Sequence, residues 1–183
     1  MKKIILICVL MISSTALFSQ NYITRTGKII FDATSKKSPE KIEGINNEVA
    51  NILDTRTGKI VFQVLIKSFK FEKELMQEHF NENYMESNKY PKADFQGTIA
   101  NINEVTFSKD GIYNIKTVGK LTIHGVTNDV TVPGTLTVKG KTIIAKTQFS
   151  ILLRDYKIVI PSLVSDKVSN NAIITIESNL NQK

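Results

Sequence analysis

Cysteine is nearly absent from this 183-residue chain: it occurs once, as Cys8, and tryptophan does not occur at all. Cys8 lies inside an uninterrupted apolar run, Ile4 to Ile12, behind Lys2 and Lys3 and ahead of Ser13, Ser14, Thr15 and Ala16. A basic, then apolar, then small and polar order is the layout of a secretory signal peptide. The run breaks at Ser13, well short of the ~20 apolar residues that cross a bilayer, so residues 1–19 read as a signal peptide rather than an anchor. Cleavage after Ser19 leaves Gln20 as the new N-terminus, and cleavage after Ala16 satisfies the small-x-small rule through Ser14. On either cut the exported chain, periplasmic or secreted, keeps no cysteine. That excludes disulfides, thiol catalysis and cysteine-based metal sites. Cys8 sits within the apolar run and not at its end, which argues against a lipidated anchor.

Histidine is almost as scarce, with only His79 and His124. A zinc site of histidine and carboxylate takes three or four ligands. His79 and Glu82, three apart on a helix, supply a two-ligand fragment, so no metal residue is assigned. No G-x-S-x-G elbow occurs, nor any phosphate-binding or dinucleotide-type glycine loop. The carboxylate pairs Glu72 with Glu74 and Glu82 with Glu86 fall on the polar side of a helix and read as a solvated face. No catalytic residue and no cofactor are expected, and the chain does not read as an enzyme. The formal charge of +7 falls to about +5 without Lys2 and Lys3, which leaves a basic surface. Its lysines are scattered, with no basic block interleaved with aromatics, so nucleic acid is not an expected partner.

What the chain does have is alternation. Tyr113, Ile115, Leu121 and Ile123 share one face of the segment 112–123, and Asn114, Lys116, Lys120 and Thr122 share the other. Val126, Val130, Val132, Leu136 and Val138 alternate with Thr127, Asp129, Thr131, Thr135 and Thr137. After a turn at Lys139-Gly140-Lys141, the apolar face resumes in Ile143, Ala145, Phe149, Ile151 and Leu153, and later in Ala172, Ile174 and Ile176. Upstream, Ile60, Phe62, Val64 and Ile66 form one face, and Ala93, Phe95 and Ile99 another. A period of two with one wet face marks antiparallel sheet. Pro133 inside such a run implies a bulge or an edge position.

Between the upstream strands the period changes to three and four, in Leu75, Met76, His79, Phe80 and Tyr84. This predicts one amphipathic helix over about Phe71 to Met85. Thr24–Phe31 (TRTGKIIF) and Thr55–Phe62 (TRTGKIVF) echo one another. Two turns feeding similar strands, with Gly27 and Gly58 as the permissive residues, explain the echo. A solenoid needs three or more longer units.

Several segments resemble the YceI-like family of exported lipid-binding proteins. Gly119 followed by Leu121-Thr122-Ile123-His124-Gly125-Val126-Thr127 is similar to that family's strand-and-turn motif. His79-Phe80 with Lys89-Tyr90-Pro91-x-Ala93-x-Phe95 is similar to its helix end and following strand. Arg154-Asp155-Tyr156 is similar to its Arg-Asp-aromatic segment. The likeness spans about Phe62 to Ile176. It departs at the start, where Tyr22-Ile23-Thr24 replaces the usual aromatic-x-x-Asp opening, leaving the N-terminal strand open. The resemblance implies a mainly β fold, an eight-stranded antiparallel lipocalin-like barrel with one amphipathic helix across it, over residues 20–183. It also implies an interior pocket for a polyisoprenoid or similar apolar lipid. His124 reads as turn structure.

The expected function is therefore non-catalytic binding of a long apolar lipid outside the cytoplasm, with no membrane span in the mature chain. The expected ligand contacts are Phe62, Phe95, Leu121, Ile123, Phe149 and Ile151 on strands, and Leu75, Met76 and Phe80 on the helix. The alternative is a secreted structural or interaction module whose barrel is filled by its own side chains, with Phe62, Phe95 and Phe149 as filling. The oligomeric state, a homodimer included, is left open.

Overall fold

The computed structural model describes residues 21–183; the expected signal segment lies outside them. Nine strands run in chain order: β1 Asn21–Thr34, β2 Glu43–Asp54, β3 Lys59–Leu65, β4 Lys70–Phe71, β5 Lys92–Ile99, β6 Gly111–Ile123, β7 Val126–Lys139, β8 Thr142–Leu152 and β9 Val168–Gln182. All pairings are antiparallel. The sheet order is β1-β9-β8-β7-β6-β5-β3-β2-β4, and a β1–β2 pairing closes it. The eight long strands form the barrel. The two-residue β4 pairs with the start of β2 and so continues the line of β3 after a short 3-10 turn. The N-terminal strand, left open by the sequence, is an integral stave: β1 pairs with both β2 and β9.

One end of the barrel is packed solid. Leu53, Leu136 and Leu180 are fully buried there, with Ile143 and Val138 beside them. Alternation puts these side chains inside and the threonines and lysines outside. The other end is covered by the segment between β4 and β5.

The covering helix differs from its expected form. α1 (Glu74–His79) is α-helical for six residues and then widens into a π-type turn over Phe80–Tyr84. Phe71, expected at the start of the helix, instead belongs to β4. The widening has a consequence for which residues face inward. Met85 N–H donates to the Phe80 carbonyl five residues back, so Phe80 and Met85 turn inward together and both are buried. The expected stripe assumed 3.6 residues per turn throughout. Leu75 instead remains 60% exposed, and Met76 is half-buried.

The echoed octapeptide adopts two structures. Thr55–Gly58 is a turn between β2 and β3, with Gly58 at a φ of 71°. Thr24–Gly27 is not a turn: it is a bulge inside β1, where the register shifts between Thr24 and Gly27. Gly27 is required there for space, because a Cβ would lie 2.6 Å from Ser178 Oγ.

β7 forms a complete ladder with β6 down to Ile123–Val126. Its ladder with β8 runs only from Lys139–Thr142 to Gly134–Thr147. Beyond that, Val126–Val132 and Gln148–Leu152 do not pair, while β8 stays paired to β9 as far as Leu152–Asn171. Pro133 stands at this fork, as an edge position expected from its missing N–H. Its carbonyl accepts a 2.6 Å hydrogen bond from the Thr147 hydroxyl. The barrel wall therefore has an unzipped seam along its helix-covered half, roughly 17 Å long at the usual strand rise.

Candidate functional site: an apolar cavity in the open half of the barrel

Above the packed end lies a cavity of about 130 Å³. Its wall is almost wholly apolar, with Ile29, Ile60, Ile115 and Ile174 among the strand contributions. The seam is part of the lining on both edges: Val132, Pro133 and Gly134 from β7, and Thr147, Phe149 and Ile151 from β8.

The expected contacts separate cleanly. Phe62, Phe80, Phe95, Leu121, Ile123, Phe149 and Ile151 all line the cavity. Leu75 and Met76, in the first turn of α1, do not: Leu75 is exposed and Met76 half-buried. Met85, Phe31 and Phe69 line it and were not anticipated. Met85 was hidden by the wrong helical period. Phe31 lies in the strand whose start departs from the resembled motif.

Phe80 is the hub of the covered end. Its ring lies 5.6 Å from Phe31, 5.4 Å from Phe69 and 4.8 Å from Phe71, all tilted. Tilted arrangements suit aromatic quadrupoles. Phe62 and Phe95 meet edge to face at 6.5 Å on the opposite wall. These aromatic rings border a space; they do not fill it.

The motif residues far apart in sequence converge at the same end. His124 and Gly125 form the two-residue β6–β7 turn with φ of 51° and 73°, the positive pair that a type I′ hairpin turn requires. His124 Nδ1 lies 3.1 Å from the Tyr156 carbonyl, and Nε2 lies 2.8 Å from Glu86 Oε2. The Tyr90 ring stands edge-on to the imidazole at 4.6 Å. Asn128 Nδ2 donates to the Asp155 carbonyl at 3.0 Å. Burial, offset by a hydrogen bond from Asn128, pushes the Tyr156 phenol above its ordinary pKa. His124 thus ties the helix exit, the β6–β7 turn and the loop after β8 together. His79 and Glu82 are both exposed. Among the described residues no cluster of three histidine, cysteine or carboxylate side chains is placed to hold a metal, and no helix is long and apolar enough to cross a membrane.

An antiparallel barrel packed at one end and hollow at the other, with an apolar lining, defines the class of small β-barrels built around an enclosed cavity. The chain belongs to the YceI-like domain family, which matches residues 23–179. Among solved structures it is similar to a polyisoprenoid-binding domain from Saccharophagus degradans implicated in plant cell wall breakdown. That likeness has 11% identity and a TM-score of 0.77, over 90% of this chain and 99% of that one. It is also similar to BcnA from Burkholderia cenocepacia, with 19% identity and a TM-score of 0.67 over 84% and 95%. The YCEI protein of Campylobacter jejuni matches with 20% identity and a TM-score of 0.56 over 76% and 85%. No curated protein matches the chain.

Proposed function

We propose that this protein binds a long apolar lipid, a polyisoprenoid or a chain like it, inside the barrel and without catalysis, in the periplasm or outside the cell. The observation that carries this reading is the hollow half of the barrel. Its own large residues, Phe62, Phe95 and Phe149, border the cavity, whereas a self-filled module needs them packed in its centre. Each 100 Å² of ligand surface removed from water there contributes about 2.5 kcal/mol, so shape and apolarity suffice to hold a chain. The polyisoprenoid-binding domain from Saccharophagus degradans, with the same fold, is consistent with that ligand class. Export rests on the order of residues 1–19.

The test is extraction. Protein purified from cells that make it naturally, treated with organic solvent and examined by mass spectrometry, yields one lipid in a reproducible molar ratio. Repeated empty extracts would favour the self-filled module.

A further inference from the structure

Next to the lining at the blind end of the cavity stand two buried polar side chains with nothing to bind. Asn51 and Ser178 are fully buried, and neither the Asn51 amide nitrogen and oxygen nor the Ser178 hydroxyl has a hydrogen-bond partner. Such groups are rare in folded proteins because each costs about 1–3 kcal/mol when left unpaired.

Their placement is specific. Directly facing residues in an antiparallel ladder share a face. Asn51 faces Phe62, and Ser178 faces Ala145; Phe62 and Ala145 both line the cavity. Two residues along each strand stand Val49 and Ile176, which line it too. Two residues along in the other direction stand Leu53 and Leu180, which belong to the packed end. The polar pair therefore occupies the boundary between hollow and solid. Only β1 lies between the two, and there it presents Gly27, where a Cβ would collide with Ser178 Oγ. Thr24, the β1 residue opposite Asn51, has its hydroxyl engaged with Thr26.

We infer that Asn51 and Ser178 are a recognition pair for the leading end of the bound chain, and that this end carries a small uncharged hydrogen-bonding group such as a hydroxyl. The inference rests on the lipid-binding reading of the cavity. The pair offers amide and hydroxyl donors together with amide and hydroxyl acceptors, which matches a group that both gives and accepts. A carboxylate or phosphate does not fit, because among the described residues no charged side chain is buried, and an unpaired buried charge is far costlier than an unpaired hydroxyl.

The experiment compares decan-1-ol with decane as competitors of a cavity-bound fluorescent fatty probe, in the wild type, Asn51→Leu and Ser178→Ala. Thermal melts are run alongside. Both variants replace an orphaned polar group with an apolar one of similar or smaller size, so their melting temperatures stay level or rise. The affinity for decan-1-ol falls about tenfold in each variant, as expected for one lost buried hydrogen bond, while that for decane holds or improves. Equal changes for both competitors, or none, overturn the proposal and leave the cavity as a lipid site whose floor is satisfied by water. Should Asn51→Leu fail to fold, Ser178→Ala decides alone, since it removes a single oxygen. If neither competitor displaces the probe from the wild type, the lipid-binding reading itself has failed.

Discussion

Asp54 holds the β2–β3 turn through its side chain. Its Oδ1 accepts from the backbone N–H of Arg56 at 2.9 Å and of Thr57 at 3.3 Å, and Oδ2 accepts from the Thr57 hydroxyl at 2.7 Å. The same Thr-Arg-Thr-Gly run in β1 follows Ile23, which has no acceptor to offer, and there the chain stays extended and bulges. One preceding residue thus decides between turn and strand. Led by the Thr57 hydrogen bond, these contacts hold the Asp54 carboxyl below its usual pKa. A depressed folded-state pKa adds stability that is present above the ordinary aspartate range and lost as pH falls through the folded value. Asp54→Ala is expected to lower stability by about 1–2 kcal/mol in urea denaturation at neutral pH, with a smaller loss at strongly acid pH, where wild type and variant converge. At the opposite end, His124→Asn keeps a residue that tolerates positive φ and removes the bridge to Glu86 and Tyr156. A cost of about 1–2 kcal/mol is expected, measured the same way. A change within error would mean that the bridge contributes nothing to stability.

At the scale of elements, the strands and the single covering helix were legible, and the widening of that helix was not. Binary alternation over β6, β7 and β8 is unambiguous because each has one dry and one wet face, and Pro133 announced the fork through its missing donor. The π-type widening has no such sequence mark: Leu75, Met76, Phe80 and Met85 suit either period, and only contacts with Phe31, Phe69 and Phe71 choose between them. Most of the cavity-lining residues named from the sequence lie on the strands, and the two named residues that do not line it, Leu75 and Met76, sit on the helix. The orphaned pair Asn51 and Ser178 was not legible, since a polar residue in a half-buried strand normally points to water. The seam makes its own prediction. Thr131→Cys and Ser150→Cys lie on exposed positions of its two edges, and residues 20–183 contain no other thiol. Bridging them with a bifunctional maleimide is expected to slow uptake and release of a fluorescent lipid while leaving the amount bound at equilibrium unchanged. Stopped-flow traces identical before and after bridging would exclude the seam as the route.

For the molecule as a whole, the division into a solid half and a hollow half sets how it tolerates charge. A lysine in the solid half, as in Leu136→Lys, buries an unpaired ammonium and is expected to unfold the protein. At Ile123, Phe149 or Ile151 the lysine stem can lie along the cavity with its charge at the mouth. Phe149→Lys, on the seam, is expected to keep a cooperative thermal transition and lose its lipid on extraction. If all three cavity variants either unfold or retain full lipid content, the ligand lies elsewhere. Export is checked by sequencing the N-terminus of naturally produced protein, which is expected to begin at Gln20, or at Leu17 on the alternative cut; an intact Met1 would contradict it. On the proposed lipid-binding reading, the seam also bears on what size of cargo the protein accepts. A sealed cup admits only molecules shorter than its depth, but a vessel slit down one side lets the surplus hang out. Interior volume then governs how tightly the first few carbons are gripped, and cargo length becomes a property of the surroundings, whether solvent, membrane or a second protein.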